Sequence, residues 1–125
     1  MGFKIFKYKN VNSTNDIAIR LIKKKNIKKG MVVSEKQKHG RGQRGKKWIS
    51  YKGNLFVSIF YSLEKIKYSV KELTKINAKL IIKLLSIYYK KSIKLKLPND
   101  ILINKKKICG ILQEKIQNNE VNYLI

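Results

Sequence analysis

The order of apolar and polar residues along the chain predicts alternating strands and helices. Residues 3–9 (FKIFKYK) alternate apolar and basic side chains, which is typical of a half-buried strand. Ser13 is placed to cap a following helix, and Asp16 comes three residues later, where a carboxylate favours the helix dipole. One face of that helix carries the apolar residues Ile17, Ala18, Leu21 and Ile22. Gly30 is expected to end this unit, before a short strand at 31–36.

A longer helix follows a second strand pattern. Residues 54–63 (NLFVSIFYSL) are almost continuously apolar, which is typical of a strand covered on both faces. Residues 69–91 give the strongest helical pattern, and Ser69 and Glu72 have the spacing of a capping box. Apolar residues recur there at helical intervals, namely Val70, Leu73, Ile76, Leu80, Leu84 and Tyr88.

The last third of the chain reads as strands. Residues 93–97 end before the proline, while 101–104 and 108–116 flank a run of lysines and predict a hairpin. Residues 120–125 begin another strand. Strands before, between and after two helices predict an α/β or α+β fold, in which a mixed β-sheet is flanked by helices.

Size and composition limit the class of protein. The 125 residues suffice for one small domain, which we assign to 1–125. No apolar run reaches the roughly 18 residues of a membrane helix, and the start of the chain lacks the apolar stretch of a signal peptide. We therefore expect a soluble, cytoplasmic protein without a membrane partner. Cys109 is the only cysteine, so neither an internal disulfide nor a thiolate metal site is expected.

The formal net charge of +23 raises the question of nucleic acid binding. All but three of the 30 basic residues are lysines, however, and they are spread along the whole chain. Isoleucine and asparagine are also frequent, as in proteins from AT-rich genomes. We therefore favour a solvated basic surface, with a dedicated nucleic-acid surface as the lesser alternative.

The stretch HGRGQRGKKW (residues 39–48) predicts an anion-binding loop. Its glycines let backbone amides turn towards one point, and Arg41 and Arg44 can hold phosphate oxygens. Trp48 offers a flat face to a base or an apolar ligand. The stretch does not match the phosphate loop GxxxxGK[ST], and it fails the dinucleotide pattern because the following residues 46–54 lack helical periodicity. We expect a loop that is flexible until a ligand fills it; a mobile surface loop with a buried tryptophan is the alternative.

Two further stretches place polar groups at strand ends. In KLPND (96–100) the proline holds the chain extended and presents Asn99 and Asp100, although an ordinary turn would have the same composition. Lys107 lies at the entry to a strand, and Gly110 within that strand indicates close approach of a ligand or another backbone. Taken alone, Lys107 would read as one more solvated lysine.

Four stretches together resemble the biotin–protein ligases, also called biotin–[acetyl-CoA-carboxylase] ligases. STND (13–16), HGRGQRGKKW (39–48), KLPND (96–100) and KKICGIL (106–112) occur in the order and at roughly the spacings of that family. The resemblance covers nearly the whole chain. It implies a catalytic fold of a mixed sheet with helices, related to lipoate ligases and to class II tRNA synthetase cores.

The resemblance also implies the reaction. The biotin carboxylate attacks the α-phosphate of ATP, with Mg²⁺, to give biotinyl-5′-AMP and pyrophosphate. A lysine of the biotin carboxyl carrier domain of acetyl-CoA carboxylase then takes the biotinyl group and AMP leaves. The alternatives are a lipoate or octanoate ligase or transferase, and a non-catalytic biotin-binding fragment.

The family's site residues carry over by position. The resemblance implies catalytic roles for Lys107 and Arg41. The residues implied to bind biotin are Ser13, Thr14, Asn15, Gln37, Arg41, Gly42, Gln43 and Lys107. Those implied to bind the nucleotide are Gly40, Arg41, Arg44, Trp48, Lys96, Asn99, Asp100 and Gly110.

The chain departs from the family pattern in two residues and in extent. Leu97 stands where the family usually has tryptophan, and Gln43 stands where many members have arginine. Since glutamine carries no charge, we expect Arg41 and Lys107 to carry more of the phosphate contact. A helix-turn-helix domain, a later part of the catalytic domain and a small C-terminal barrel are expected to be absent from 1–125. We therefore expect no DNA partner, while a homodimer is left open.

Overall fold

The computed structural model describes residues 2–125. Its helices are α1 (Thr14–Lys25) and α2 (Val70–Tyr88), and a 3₁₀ turn spans Gln43–Gly45. The strands are β1 (Lys4–Val11), β2 (Lys29–Gln37), β3 (Phe56–Ser62), β4 (Lys94–Lys96), β5 (Asp100–Ile103), β6 (Lys106–Gly110), β7 (Lys115–Asn118) and β8 (Val121–Leu124). The predicted mixed α/β class is confirmed, with the strands divided between two sheets.

The chain divides into two compact units. The first unit contains the residues up to Ile66 together with Glu114–Ile125, and the second unit contains Lys67–Gln113. In the first unit, five strands form a mixed sheet in the order β1-β2-β3-β8-β7. β1 and β2 are parallel, while the other neighbours are antiparallel. Helix α1 connects the two parallel strands, as such a pair requires.

Helix α1 supplies the core of the first unit. Its predicted apolar face is confirmed, because Ala18, Leu21 and Ile22 are buried. They belong to one cluster with Val32, Phe60, Tyr123 and Ile125. The Ser13 cap is also confirmed, since Ser13 Oγ accepts from the Asp16 N–H at 3.4 Å. The sequence thus predicts how the helix begins and what it buries.

The expected role of Gly30 is wrong. The helix ends at Lys25, because Asn26 takes the left-handed conformation (φ 52°) that stops a helix. Gly30 instead lies buried in β2, where a Cβ atom would come within 2.7 Å of the Phe60 ring. A close approach of the aromatic ring therefore explains this glycine.

Strand β3 is covered on one face only, which corrects the expectation of two covered faces. Phe56, Ser58 and Phe60 are buried, whereas Val57 and Ile59 are 39% and 44% exposed. The described chain places α1 against the buried face. The apolar run in the sequence therefore reflects a strand with apolar residues on both faces, and residues 2–125 cover only one of these faces.

The second unit contains α2 and a three-stranded antiparallel meander in the order β4-β5-β6. The capping box is confirmed, since Ser69 Oγ accepts from the Glu72 N–H while the Glu72 carboxylate accepts from the Ser69 N–H. The predicted apolar stripe is only partly buried. Leu73 is buried, but Leu80, Leu84 and Tyr88 are 58%, 55% and 82% exposed.

The predicted hairpin is confirmed at β5–β6, where Asn104 and Lys105 both have positive φ angles in a two-residue turn. The following strand is shorter than predicted. Residues 108–116 divide between β6 and β7, and β7 belongs to the five-stranded sheet. Within residues 2–125, neither helix is long and apolar enough to cross a membrane.

Candidate functional site

A partly buried polar network joins the start of α1 to the end of β2. Gln37 Oε1 accepts from the Thr14 N–H at 2.8 Å and from the Thr14 hydroxyl at 3.1 Å. The parallel pairing of Val11 with Gln37 explains this contact, because the residues that follow β1 then lie at the same sheet edge as Gln37. Ligands of α/β sheets typically bind at such carboxyl edges. Thr14 and Gln37, both predicted from the sequence, therefore lie together.

Ser58 and Asn15 extend this network. Ser58 Oγ lies 2.7 Å from Thr14 Oγ1 and also contacts Asn15 Oδ1. The other end of the Asn15 amide, Nδ2, is buried and has no hydrogen-bond partner. A buried donor without an acceptor costs about 1–3 kcal/mol. A ligand with a carbonyl oxygen at this point would supply the missing acceptor.

The glycine-rich stretch forms a short hairpin, the glycine hairpin (residues 40–48), instead of an open loop. The Trp48 N–H donates to Gly40 O at 2.8 Å, and the Gly42 N–H donates to Lys46 O at 2.7 Å. Between them, Arg41 pairs with Lys47 as an isolated β-bridge. Gln43 begins the 3₁₀ turn at the tip, where the exposed Arg44 has a φ of 55°. Flexibility without a ligand stays a prediction.

The base of the glycine hairpin lies against the polar network. A Cβ atom on Gly40 would come within 2.8 Å of Gln37 Nε2, of Ser50 Oγ and of Trp48 O. Gln37 Nε2 itself donates to Ser50 Oγ at 3.2 Å. Glycine is therefore required at position 40 because the backbone passes directly over the Gln37 amide.

Arg41 is held by two carboxylates. Its Nε and Nη2 each lie 2.7 Å from a different Glu114 oxygen, and its Nη1 lies 2.6 Å from Asp16 Oδ1. Nη1 also donates to Ser13 Oγ at 3.2 Å. The hydrogen bond to Glu114 raises the pKa of Arg41 above its ordinary value, burial opposes this and Asp16 adds to it. The guanidinium is therefore charged at any working pH.

A second cluster of predicted residues lies in the β4–β6 meander. Lys107 Nζ is 2.8 Å from Asp100 Oδ1. Asp100 pairs with Lys96 on one side and with Gly110 on the other, so these three residues form one row across the sheet. Asn99 is tied to the chain after β6, since its Nδ2 donates to Ile111 O at 2.8 Å.

Cys109, on β6 in the same meander, is half-buried. Burial raises the pKa of its thiol, Lys107 opposes this and Asp100 adds to it.

The structure thus gathers the predicted residues into two groups. The first unit brings together Ser13, Thr14, Asn15, Gln37, Gly40 and Arg41, with Gly42, Gln43, Arg44 and Trp48 further along the glycine hairpin. The second unit brings together Lys96, Asn99, Asp100, Lys107 and Gly110. Arg41 and Lys107 belong to different units, so their convergence on one ligand stays a prediction.

Three residues that contact the first group were not predicted from the sequence, namely Ser58, Glu114 and Ser50. Ser58 has a weak signal, since it is a polar residue inside the apolar run 54–63. Glu114 is one of only seven acidic residues against 30 basic ones, and that rarity was the available signal. Ser50 has none. Among residues 2–125, no group of three or more His, Cys, Asp and Glu side chains could hold a metal ion.

Comparison with protein families gives one match over most of the chain. The model of the biotin/lipoate A/B protein ligase family matches residues 8–125. The bifunctional ligase/repressor BirA of Escherichia coli is 31% identical over 106 residues, which cover 83% of this chain and 32% of that protein. BirA of Bacillus spizizenii is 30% identical over 115 residues, which cover 91% of this chain and 35% of that protein. The chain therefore spans about a third of the length of these curated relatives.

Solved structures share the fold. The biotin protein ligase from Aquifex aeolicus in complex with biotin and ATP superposes with a TM-score of 0.80 at 25% identity, covering 97% of this chain and 50% of that chain. The Leishmania major enzyme in complex with biotinyl-5-AMP gives a TM-score of 0.67 at 25% identity, covering 99% and 56%. A Helicobacter pylori enzyme shares the fold alone, at 18% identity and a TM-score of 0.77 over 98% and 59% of the two chains. The predicted synthetase-like fold is confirmed.

Proposed function

Because the chain belongs to the biotin/lipoate A/B protein ligase family, we propose that it takes part in ATP-dependent ligation of biotin to a carrier-protein lysine through biotinyl-5′-AMP. One observation carries this proposal. The Thr14–Gln37 network under the glycine hairpin holds a buried, unpaired amide donor at Asn15. Related structures at 25% identity were solved with biotin and ATP or with biotinyl-5-AMP, which supports the same ligands here.

The network has the groups that a ureido ring requires. That ring presents one carbonyl oxygen and two N–H groups. The Asn15 amide donates to the oxygen, while the hydroxyls of Thr14 and Ser58 accept from the N–H groups. Because Thr14, Ser58 and the Asn15 Nδ2 atom are buried, a ligand lacking the ureido pattern would leave these groups unpaired, which disfavours its binding.

Adenylate formation needs positive charge where phosphate negative charge develops. The biotin carboxylate forms a bond to the α-phosphorus, and the bond from that phosphorus to pyrophosphate breaks. Lys107 supplies an ammonium that stabilises this transition state, and Asp100 orients it from 2.8 Å away. In the second step the carrier lysine attacks the acyl carbon and loses a proton. The bond from that carbon to the phosphate oxygen breaks, and AMP leaves with the oxygen.

Mg²⁺ is proposed to bind together with ATP. Magnesium in such sites is usually bound by one or two carboxylates together with substrate phosphates and water. No group of three or more His, Cys, Asp and Glu side chains among the described residues could hold an ion alone, which fits an ion carried mainly by the nucleotide. Asp100 is the carboxylate of the second group that could face such an ion.

The proposed acceptor is the biotin carboxyl carrier domain of acetyl-CoA carboxylase, in the cytoplasm. No DNA or membrane partner is proposed for residues 1–125, and a homodimer is left open. The basic surface of this chain, with a net charge of +23, favours an acidic carrier over a basic one. The identity of the carrier is tested by offering purified carrier domains and detecting attached biotin.

Isothermal titration of this chain tests the function. Biotin is added first, then biotin with ATP, and pyrophosphate release is followed in parallel. We expect binding of biotin and release of pyrophosphate only when both substrates are present. Binding without pyrophosphate would favour a biotin-binding fragment, and a response to lipoate or octanoate alone would favour the other branch of the family.

A further inference from the structure

Most of the donors of Arg41 are already used within the protein. A guanidinium has five N–H groups in a fixed planar fork. Two donate to Glu114, one donates to Asp16 and one donates to Ser13, so four of the five are engaged. One N–H on Nη2 is left for a ligand. Arg41 therefore ties the glycine hairpin to the rest of the first unit.

The backbone of Glu114 is itself held in place by hydrogen bonds. Its N–H donates to Ile125 O at 3.1 Å and its carbonyl accepts from the Ile125 N–H at 3.0 Å, directly before β7. Ile125 is only 6% exposed and packs in the core of the first unit. The Glu114 side chain is 24% exposed, so its bidentate pair with Arg41 is partly removed from water. Such pairs give both geometric specificity and strength.

We propose, resting on the function above, that Glu114 is a positioning residue that holds the glycine hairpin closed over the biotin network by fixing Arg41. Arg41 follows Gly40 directly, and a Cβ atom on Gly40 would come within 2.8 Å of Gln37 Nε2 and of Ser50 Oγ. Fixing the Arg41 guanidinium therefore restricts the backbone that passes over the Gln37 amide. Because two carboxylates contact one guanidinium, the local charge does not attract an anion to Arg41, so Arg41 holds the glycine hairpin in place instead of clamping a phosphate.

The competing interpretation predicts the opposite change in ligand affinity when the charge of Glu114 is removed. If Arg41 must leave Glu114 to bind the ligand carboxylate or phosphate, the Glu114 carboxylate competes with the ligand. Removing its charge would then tighten ligand binding. If Glu114 positions the hairpin, removing its charge weakens binding. Measuring the sign of the change in affinity therefore decides between the two.

The experiment is biotin titration of Glu114→Gln in this chain. Glutamine keeps the size but offers one acceptor oxygen, so the bidentate pair is lost. We expect the dissociation constant for biotin to rise about tenfold. The control is Glu64→Gln, which removes a carboxylate from the exposed Lys28–Glu64 pair (3.5 Å) in the same unit and should leave the affinity unchanged.

A role through Arg41 has its own signature. Arg41→Gln alone and Arg41→Gln combined with Glu114→Gln should bind biotin about equally weakly, because the two side chains belong to one interaction. In pyrophosphate release, KM for biotin should rise for Glu114→Gln while kcat at saturating biotin is retained. A general loss of folding would lower kcat with the fraction of folded protein, so this split separates positioning from structural damage.

The outcomes separate the two proposals. If the parent chain does not bind biotin, the proposed function fails and this role fails with it. If the parent binds and Glu114→Gln binds equally well or more tightly, only the positioning role is overturned. Should Glu114→Gln fail to fold, Glu114→Asp replaces it, since the shorter side chain keeps the charge and cannot make both contacts. Parental affinity in folded Glu114→Asp would also overturn the role.

Discussion

Lys107 Nζ lies 2.8 Å from Asp100 Oδ1 across the β5–β6 hairpin. The two residues come from different sequence stretches, KLPND and KKICG, which the hairpin turn at Asn104 and Lys105 brings side by side. Their side chains are 23% (Asp100) and 40% (Lys107) exposed, so the carboxylate orients a partly exposed ammonium. Lys107 is thus presented as a fixed positive charge.

Replacing Lys107 with alanine should abolish most adenylate formation while the fold survives. The loss of one donor to the reacting phosphate is expected to lower pyrophosphate release by about 100-fold. Because the ion pair is partly exposed, the change in unfolding free energy should stay within about 1 kcal/mol. Lys106→Ala, which removes the neighbouring exposed lysine, is the matched control. Parental pyrophosphate release by Lys107→Ala would show that its assigned role is wrong.

Gly40→Ala should destabilise the chain and weaken biotin binding. The new methyl group would meet Gln37 Nε2, Ser50 Oγ and a backbone oxygen at 2.8 Å, and such overpacking costs about 1–3 kcal/mol. Gly42→Ala is the stability control, because its Cβ would meet nothing closer than 3.7 Å and its φ is −103°. Urea unfolding measures both. Equal stability of the two variants would contradict the packing of position 40.

Ser58→Ala should reduce biotin affinity by about tenfold, since it removes the hydroxyl that links Thr14 to Asn15. The variant keeps the buried strand in place, so far-UV circular dichroism should be unchanged. Ser92→Ala, at an exposed position after α2, serves as the control. If titration gives Ser58→Ala the affinity of the parent, Ser58 does not belong to the ligand site.

Local sequence patterns predicted the helices, their N-terminal caps and the hairpin turn, because each of these depends on residues close together in the chain. The Ser13 and Ser69 caps follow from three-residue spacings, and the hairpin turn at Asn104 and Lys105 follows from the flanking apolar runs. The approach of Thr14 to Gln37 required the resemblance to a family as well. Parallel pairing of β1 and β2 then explains it physically.

Contacts between distant residues could not be predicted in the same way. Arg41 and Glu114 are 73 residues apart. Their pairing requires the chain to pass from the three-stranded sheet, which contains β6, to the five-stranded sheet, which contains β7. No periodicity in 108–116 marks that division. The role of Gly30 is likewise invisible to local patterns, because the Phe60 ring that its Cβ atom would meet is distant in sequence.

The capping box of α2 should make helix stability depend on pH. Hydrogen bonds from the backbone N–H of Ser69, and then from its hydroxyl, lower the pKa of Glu72 below its ordinary value of 4.5. A lowered pKa means that the carboxylate stabilises the folded state fully above that ordinary value. This contribution is lost as the pH falls through the lowered pKa. Stability should therefore decline on acidification partly because Glu72 becomes protonated.

Glu72→Gln tests this dependence. At neutral pH the variant should unfold at a lower temperature than the parent, because a neutral amide accepts more weakly from the Ser69 groups and loses the favourable dipole interaction. The difference should shrink as the pH falls through the lowered pKa, since the parent then loses the same charge. Glu35→Gln, at an exposed position on β2, controls for the change in net charge. Thermal unfolding followed by circular dichroism gives both curves, and a difference that stays constant with pH would contradict the role of the Glu72 charge.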